Sequence, residues 1–367
     1  MNFDFSDDQR LLQEAVRKML AATCTSKAVR SVLDGQASHA DAVWRNLLDM
    51  GAAAAAIPEE YGGAGLGYLE LCLVAEEVGR HLAPVPLSSS FYLAAEALRR
   101  AGSAVQRERW LPAIARGAVI ATAALGQRER YRPAAALVFD GATLSGSSPA
   151  VPDGAVADIA MLRVGADLVL VELDDPSVRR VPLSGLDPTR PMAELHFARA
   201  PAQKLDGGTA DGAAIAARVL DGAAVLLAFE QVGGATRALE LARDYALERK
   251  AFGRQIGSFQ ALKHKMADMF TRNELARVHA YYGAWALSSD APELPAAAAA
   301  ARVAATTAFN FAAEESIEIH GGIGFTWEMD CHLYYRRARH LGLLIGSEHA
   351  WRARLADQLV QRVKEAA

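Results

Sequence analysis

The sequence predicts an α+β protein in which a small β domain lies between two helical domains. Apolar residues recur at three- and four-residue spacing before about residue 117, and the same pattern returns after Leu205. Between these regions, prolines and short apolar runs separated by turn residues replace the helical pattern. We therefore expect a helical domain at 1–117, a β domain at 118–206 and a four-helix bundle at 207–367.

The N-terminal domain begins with a clear helix signal. Ser6 can cap a first helix, and Asp7 and Asp8 lie in its first turn, where they complement the helix dipole. Further amphipathic helices are expected over 44–50 and 68–79.

The middle and C-terminal domains differ in the length of their apolar patterns. Strands are expected at four places in the middle domain, namely 134–139, 157–164, 167–173 and 194–197. Long helices are expected after it, namely 213–227, 234–250, 258–288 and 294–320. A loop at 321–329 should precede a last pair of helical segments that ends near Lys364.

The bulk composition excludes several classes of function. A net charge of −4 provides no attraction to nucleic acid. The three cysteines are too far apart for a disulfide framework or a metal site, and His332, His340 and His349 do not have metal-ligand spacing. The acidic N-terminal segment differs from a signal peptide, and no apolar run has the length of a membrane span. We expect a cytoplasmic protein with buried thiols and no bound metal.

The stretch 244–260, DYALERKAFGRQIGSFQ, concentrates positive charge beside a glycine. Arg249, Lys250 and Arg254 lie at the expected end of a helix, with Gly253 among them. Such a cluster suits an anionic ligand, since arginine offers an always-charged, forked donor to phosphate. The alternative is an exposed helix end whose cations only complement the helix dipole.

The order of residues around this cluster is more specific. Arg249 is followed by Phe252-Gly253 and Phe259-Gln260, and later by HGGIGFTWE at 320–328. Together with the glycine-rich turn at 58–67, this pattern resembles the acyl-CoA dehydrogenase family. The resemblance implies bound FAD and oxidation of an acyl-CoA to its trans-2-enoyl-CoA. In that reaction a carboxylate removes the α-proton of the thioester, and the flavin accepts hydride from the β-carbon.

The family places its catalytic base at one of two positions, and neither holds an acid in this sequence. Ile345 matches one position, and Ala223, 26 residues before Arg249, matches the other. Acids lie near these positions, namely Asp221, Glu230 and Glu348. They are out of register, because a shift of one or two residues turns a helical side chain by roughly 100–200°. A displaced base among them is an alternative reading.

The resemblance also identifies a platform for the flavin ring in the middle domain. The matching runs are 121–133 and the segment that begins at Ser145. The Gly-Ser pair of the first run and the tryptophan of the second are both missing. We therefore expect a defective platform for a flavin of this subunit.

A third set of family residues is present, and in the family it completes the FAD of the neighbouring subunit. The resemblance assigns cofactor contacts to Arg249, Phe252, Gln260, Glu318, Ile319, His320, Gly321 and Gly322. Arg249 would pair with the pyrophosphate, and the glycines would let backbone N–H groups approach the adenosine half. Glu318 departs from the usual glutamine. The alternatives are a tight helix connection for Gly321–Gly324 and a packing role for His320.

The residues that complete a neighbour's FAD are present, whereas the base and parts of the flavin platform are missing. This combination resembles the non-catalytic subunit of heterotetrameric bacterial steroid side-chain acyl-CoA dehydrogenases. The resemblance implies a paralogous partner that carries the catalytic glutamate in an α2β2 assembly. It also implies an FAD shared at the subunit interface, a bulky acyl-CoA substrate, and electron-transfer flavoprotein or a similar acceptor. The alternatives are a self-sufficient homomeric dehydrogenase with a displaced base and a flavin-free scaffold or regulatory subunit.

Overall fold

The computed structural model describes residues 5–126, 136–207 and 211–366, and it confirms the α+β class. The helices are α1 Asp7–Thr23, α2 Ser26–Leu33, α3 Asp41–Asp49, α4 Tyr68–Arg80, α5 Ala95–Ala101, α6 Ala104–Ala115, α7 Gly212–Glu248, α8 Gln260–Ser288, α9 Leu294–His320, α10 Cys331–Leu343 and α11 Glu348–Ala366. The strands are β1 Ala121–Ala124, β2 Val138–Phe139, β3 Thr143–Pro152, β4 Ile159–Val164, β5 Asp167–Glu172, β6 Val178–Leu183, β7 Met192–Lys204, β8 Lys250–Ala251 and β9 Arg254–Gln255.

The predicted Ser6 cap of α1 is confirmed, and Gln9 completes it. The Gln9 backbone N–H donates to Ser6 Oγ at 3.2 Å, and the Ser6 backbone N–H donates to Gln9 Oε1 at 2.9 Å. This reciprocal capping box satisfies two donors that a helix start otherwise leaves without partners. The same arrangement at Ser103 and Gln106 begins α6.

The chain forms two compact units. One consists of Met1–Arg30, Tyr68–Ala83 and Ala224–Ala367, and the other of Ser31–Gly67 and Pro84–Ala223. The second unit holds a seven-stranded sheet of order β1-β4-β5-β7-β3-β2, with β6 also paired to β7. The division of the chain at 117/118 and 206/207 stays a prediction.

The strand predictions are confirmed where apolar residues dominate and incomplete elsewhere. Those at 157–164 and 167–173 correspond to β4 and β5, and that at 194–197 is the middle of the longer β7. The prediction at 134–139 is reduced to β2, and residues 134 and 135 lie outside the described residues. The unpredicted β3 has a loop-like sequence, TLSGSSPAVP, yet it pairs along β7 and buries Ser147 and Ser148.

The predicted interruption between helices at 227 and 234 is wrong, because α7 is continuous across it. Gly233 does not end the helix; it lets α7 cross α4 closely. A Cβ built on Gly233 would lie 1.9 Å from the Glu76 backbone oxygen, and one on Gly79 would lie 1.8 Å from that of Glu230. Each helix thus presents a glycine to the backbone of the other, which no larger residue permits.

We expect Gly233→Ala to destabilise the protein by about 2–3 kcal/mol, since overpacking against backbone forces the two helices apart. Thermal unfolding should show a midpoint several degrees lower. Gly185→Ala is the matched control, because its nearest neighbouring atom to a built Cβ is 4.0 Å away. Equal midpoints for the two variants would contradict the close crossing.

Within the described ranges, α7 is the one helix long and apolar enough to cross a bilayer. Of its most apolar window, 61% is buried inside the protein, as in a core helix.

Candidate functional site

The cationic stretch after α7 forms a β-hairpin. The Arg249 N–H donates to the Tyr245 carbonyl at 2.8 Å and closes the last helical turn. Strands β8 and β9 then pair across a two-residue turn made of Phe252 and Gly253. Both residues have positive φ, 52° and 78°, as a type I′ turn requires. Glycine accepts this conformation readily, whereas phenylalanine adopts it at a cost.

The Phe252 side chain lies at the tip of the hairpin and is 95% exposed. Its ring meets Phe259 edge to face, with centroids 6.2 Å apart, and the Arg254 guanidinium lies 4.1 Å above the Phe259 ring. An exposed aromatic ring on a strained backbone is a feature of binding surfaces rather than of a core.

A ring stack connects the base of the hairpin to the end of α9. Tyr245 and His320 stack with centroids 4.5 Å apart, which brings the predicted residues of α7 and α9 into one region. His320 Nδ1 lies 2.6 Å from the Ser316 carbonyl, so this nitrogen carries the proton and donates it. Burial lowers the pKa of His320. The ring is therefore a neutral packing group, and its predicted contact with the cofactor stays a prediction.

The glycine turn that follows α9 shows which of its glycines the fold requires. Gly321 has a φ of 65°, and a Cβ on Gly324 would lie 2.6 Å from the Ile317 backbone oxygen. The helix connection thus needs both residues. A Cβ on Gly322 would meet no atom within 4 Å. Gly322 leaves exposed backbone open to a ligand without serving the turn.

Two residues that the sequence analysis did not identify hold this region together. Tyr245 stacks on His320, and the Lys265 ammonium group on α8 donates to Glu318 Oε2 on α9 at 2.7 Å and also to Glu315. Tyr245 showed only the period of a core helix, and a lone lysine on a helix is typical of a solvated face.

The predicted cofactor residues form two sets, one exposed to solvent and one buried. The exposed members are Arg249, Phe252, Gln260, Glu318, Gly321 and Gly322, and the buried ones are Ile319 and His320. An exposed guanidinium, an aromatic ring, an amide and exposed glycine backbone fit the diphosphate and adenosine parts of FAD, although the Gly321 N–H itself donates to the Ile317 and Glu318 carbonyls. The buried pair can contribute only through the backbone or by packing.

The two positions predicted for the base, Ala223 and Ile345, hold aliphatic side chains. Ala223 is fully buried within α7. Ile345 follows α10 and is half-buried, and its carbonyl accepts from Trp351 Nε1 at 3.3 Å. Neither side chain can accept a proton.

Glu230 and Glu348, two of the acids near these positions, each lie beside an arginine. The fully buried Glu230 Oε1 lies 3.6 Å from Nη1 of the equally buried Arg337. Glu348 Oε1 accepts from Arg352 Nε at 2.9 Å and from Thr307 Oγ1 at 3.0 Å. Each of these carboxylates is thus already engaged by a neighbouring guanidinium group. Asp221 is also buried, within α7.

The predicted flavin platform is only partly visible. Of the run 121–133, residues 121–124 form β1, and residues 127–133 lie outside the described residues. The second segment forms most of β3. The defect of this platform stays a prediction.

The cysteines are free and buried, as predicted. Burial raises the pKa of Cys24 to about 12 and that of Cys331 to about 11, so both remain thiols. Among the described residues, no group of three or more His, Cys, Asp or Glu side chains is placed to hold a metal ion.

Two family models match this chain. The N-terminal domain of acyl-CoA dehydrogenases matches residues 6–118, and the C-terminal domain matches residues 210–360. The acyl-CoA dehydrogenase IpdE2 of Mycobacterium tuberculosis is 35% identical over 356 residues, which cover 96% of this chain and 98% of IpdE2.

Solved structures from heteromeric enzymes have the same fold. A chain of the ChsE4–ChsE5 complex from Mycobacterium tuberculosis is 28% identical with a TM-score of 0.88, covering 98% of this chain and 99% of that one. A chain of the Tcur3481–Tcur3483 steroid ACAD is 29% identical with a TM-score of 0.87, at the same coverage.

Proposed function

This chain belongs to the acyl-CoA dehydrogenase family, and we propose that it is the non-catalytic subunit of a heteromeric member. The family consists of FAD-dependent oxidoreductases that act on CH–CH bonds. In our proposal, the chain completes the FAD site of a paralogous subunit, and that subunit supplies the catalytic glutamate. The assembly is an α2β2 tetramer in the cytoplasm.

The observation that carries this proposal is the contrast between two parts of the structure. Residues that would contact another subunit's cofactor are exposed around the hairpin tip and the Gly322 turn. At the same time, Ala223 and Ile345 stand where a base would be. An exposed surface suited to the cofactor, together with the lack of a proton acceptor at either predicted base position, favours a supporting subunit over an independent enzyme.

Four residues of this chain are assigned a role toward the cofactor. FAD supplies the hydride acceptor when bound. Arg249 pairs with its pyrophosphate, and the Phe252 ring covers an apolar face of the cofactor. The absence of a side chain at Gly321 and Gly322 lets its adenosine half approach the backbone closely. The proton at the α-carbon goes to the partner's glutamate, because this chain holds no acceptor at either position.

Similarity to steroid-related enzymes supports the substrate class. A steroid ACAD is among the solved structures with this fold, and the conversion we propose is that of a bulky acyl-CoA, such as a steroid side chain, to its trans-2-enoyl-CoA. The electron acceptor we propose is electron-transfer flavoprotein or a similar carrier.

The two alternative functions are a self-sufficient enzyme and a flavin-free scaffold. A self-sufficient enzyme needs a free acid near the flavin, and the ion pairs of Glu230 and Glu348 argue against both acids. A flavin-free scaffold would not need the exposed Arg249 and Phe252.

Co-expression with a paralogue that carries the glutamate tests the assembly. We expect a 2:2 complex by native mass spectrometry, with dehydrogenase activity on a bulky acyl-CoA. Loss of activity on replacing the paralogue's glutamate should be complete. A chain that forms active homomers alone would refute the proposal.

A further inference from the structure

Lys265 connects the helices that carry Gln260 and Glu318. Its ammonium group donates to Glu318 Oε2 at 2.7 Å and to Glu315 Oε2, both on α9. The Lys265 side chain is about one-third exposed, and that of Glu315 is 16% exposed. Hydrogen bonds to Glu315 and Glu318 raise the pKa of Lys265, so it is protonated at neutral pH.

The net charge of Lys265, Glu315 and Glu318 matters because Glu318 is one of the residues that would contact the proposed cofactor. A carboxylate accepts hydrogen bonds only, whereas the glutamine usual at this position also donates. Glu315 and Glu318 together place two negative charges close to a site for an anionic diphosphate. Like charges in one site repel, so the pair opposes binding unless a cation offsets it.

We propose that Lys265 is a positioning residue of the shared FAD site. Its ammonium group offsets one of the two negative charges and holds Glu318 as an acceptor for a hydroxyl or amino group in the adenosine half of the cofactor. An ion pair through Oε2 leaves lone pairs on Oε1 for that purpose. This inference rests on the proposed function of the chain.

The test is a mutant cycle on the complex of this chain with the partner that carries the base. The quantity measured is the dissociation constant of FAD from the complex, obtained by adding FAD to the apo-complex and following flavin fluorescence. Lys265→Met should raise this constant about tenfold, as expected when a partly exposed ion pair at a binding site is broken. Lys265→Arg keeps the charge and should stay within about threefold of the wild type. Lys263→Met removes a neighbouring exposed charge on α8 and should have no effect.

The decisive step is Lys265→Met in a Glu315→Gln/Glu318→Gln background. The amides need no counter-ion, so the lysine substitution should there change the constant by less than about twofold. An equal loss in both backgrounds would overturn the inference, because Lys265 would then act through something other than the carboxylates.

Failure of the role proposed for Lys265 can be distinguished from failure of the function proposed for the chain. If Arg249→Ala weakens FAD binding and Lys265→Met does not, only the role of Lys265 is wrong. If neither substitution affects FAD, the chain does not contribute to the cofactor site at all.

Discussion

Arg249→Ala in the complex is expected to weaken FAD binding by about 2–4 kcal/mol, or roughly 30-fold to 1,000-fold. Arg249 is the exposed cation at the end of α7, beside the hairpin that presents Phe252. Without it, the pyrophosphate loses its charged, forked donor. The loss is measured as flavin released from the purified complex and as the dissociation constant on adding FAD back.

Arg243→Ala is the matched control for this prediction. Arg243 is an exposed arginine of the same helix, paired with Asp244 at 2.7 Å, and is not among the predicted cofactor residues. Its removal should leave the flavin content unchanged. A scaffold without a part in the cofactor site would show no difference between the two variants, and that result would contradict the assignment of Arg249.

Glu230→Gln is expected to lower the free energy of unfolding by about 3–5 kcal/mol, because it removes the carboxylate that lies 3.6 Å from the buried Arg337 guanidinium group. The turnover of the complex, measured per folded protein, should not change. A displaced catalytic base would behave in the opposite way, with a loss of turnover of at least about a thousandfold. Urea unfolding and steady-state kinetics on the same preparations separate the two roles.

The double variant Glu230→Gln/Arg337→Met serves as the control for the charge argument. Removing both members of a buried pair avoids an uncompensated charge, so this variant should be more stable than Glu230→Gln alone. If the double variant is the less stable one, Arg337 stabilises the fold through its other contacts, such as its hydrogen bond to the Leu82 carbonyl, more than through the ion pair.

Local signals in the sequence were enough for much of the fold. Ser6 and Gln9 form a cap from residues adjacent in the chain, and α9 begins and ends where predicted because Pro295 and Gly321 mark its limits. The hairpin at 250–255 was not predicted from the sequence, which indicated a helix up to Lys250.

Features that depend on distant parts of the chain could not be predicted. Gly233 has the sequence signature of a helix end, and only the approach of Glu76 on α4 shows that it is a packing residue. The pairing of Glu230 with Arg337 and of Lys265 with Glu318 joins helices far apart in sequence. Side-chain periodicity reports which face of a helix is buried but does not report what it meets there.

The central claim is that this chain completes the FAD site of a partner and does not bind a complete FAD of its own. The ratio of flavin to protein, measured on the chain alone and on the complex, tests this claim most directly. We expect a colourless, inactive chain when it is purified by itself, and one FAD for each pair of this chain with its partner. A yellow preparation of the single chain, with about one FAD per subunit and turnover of an acyl-CoA, would contradict it.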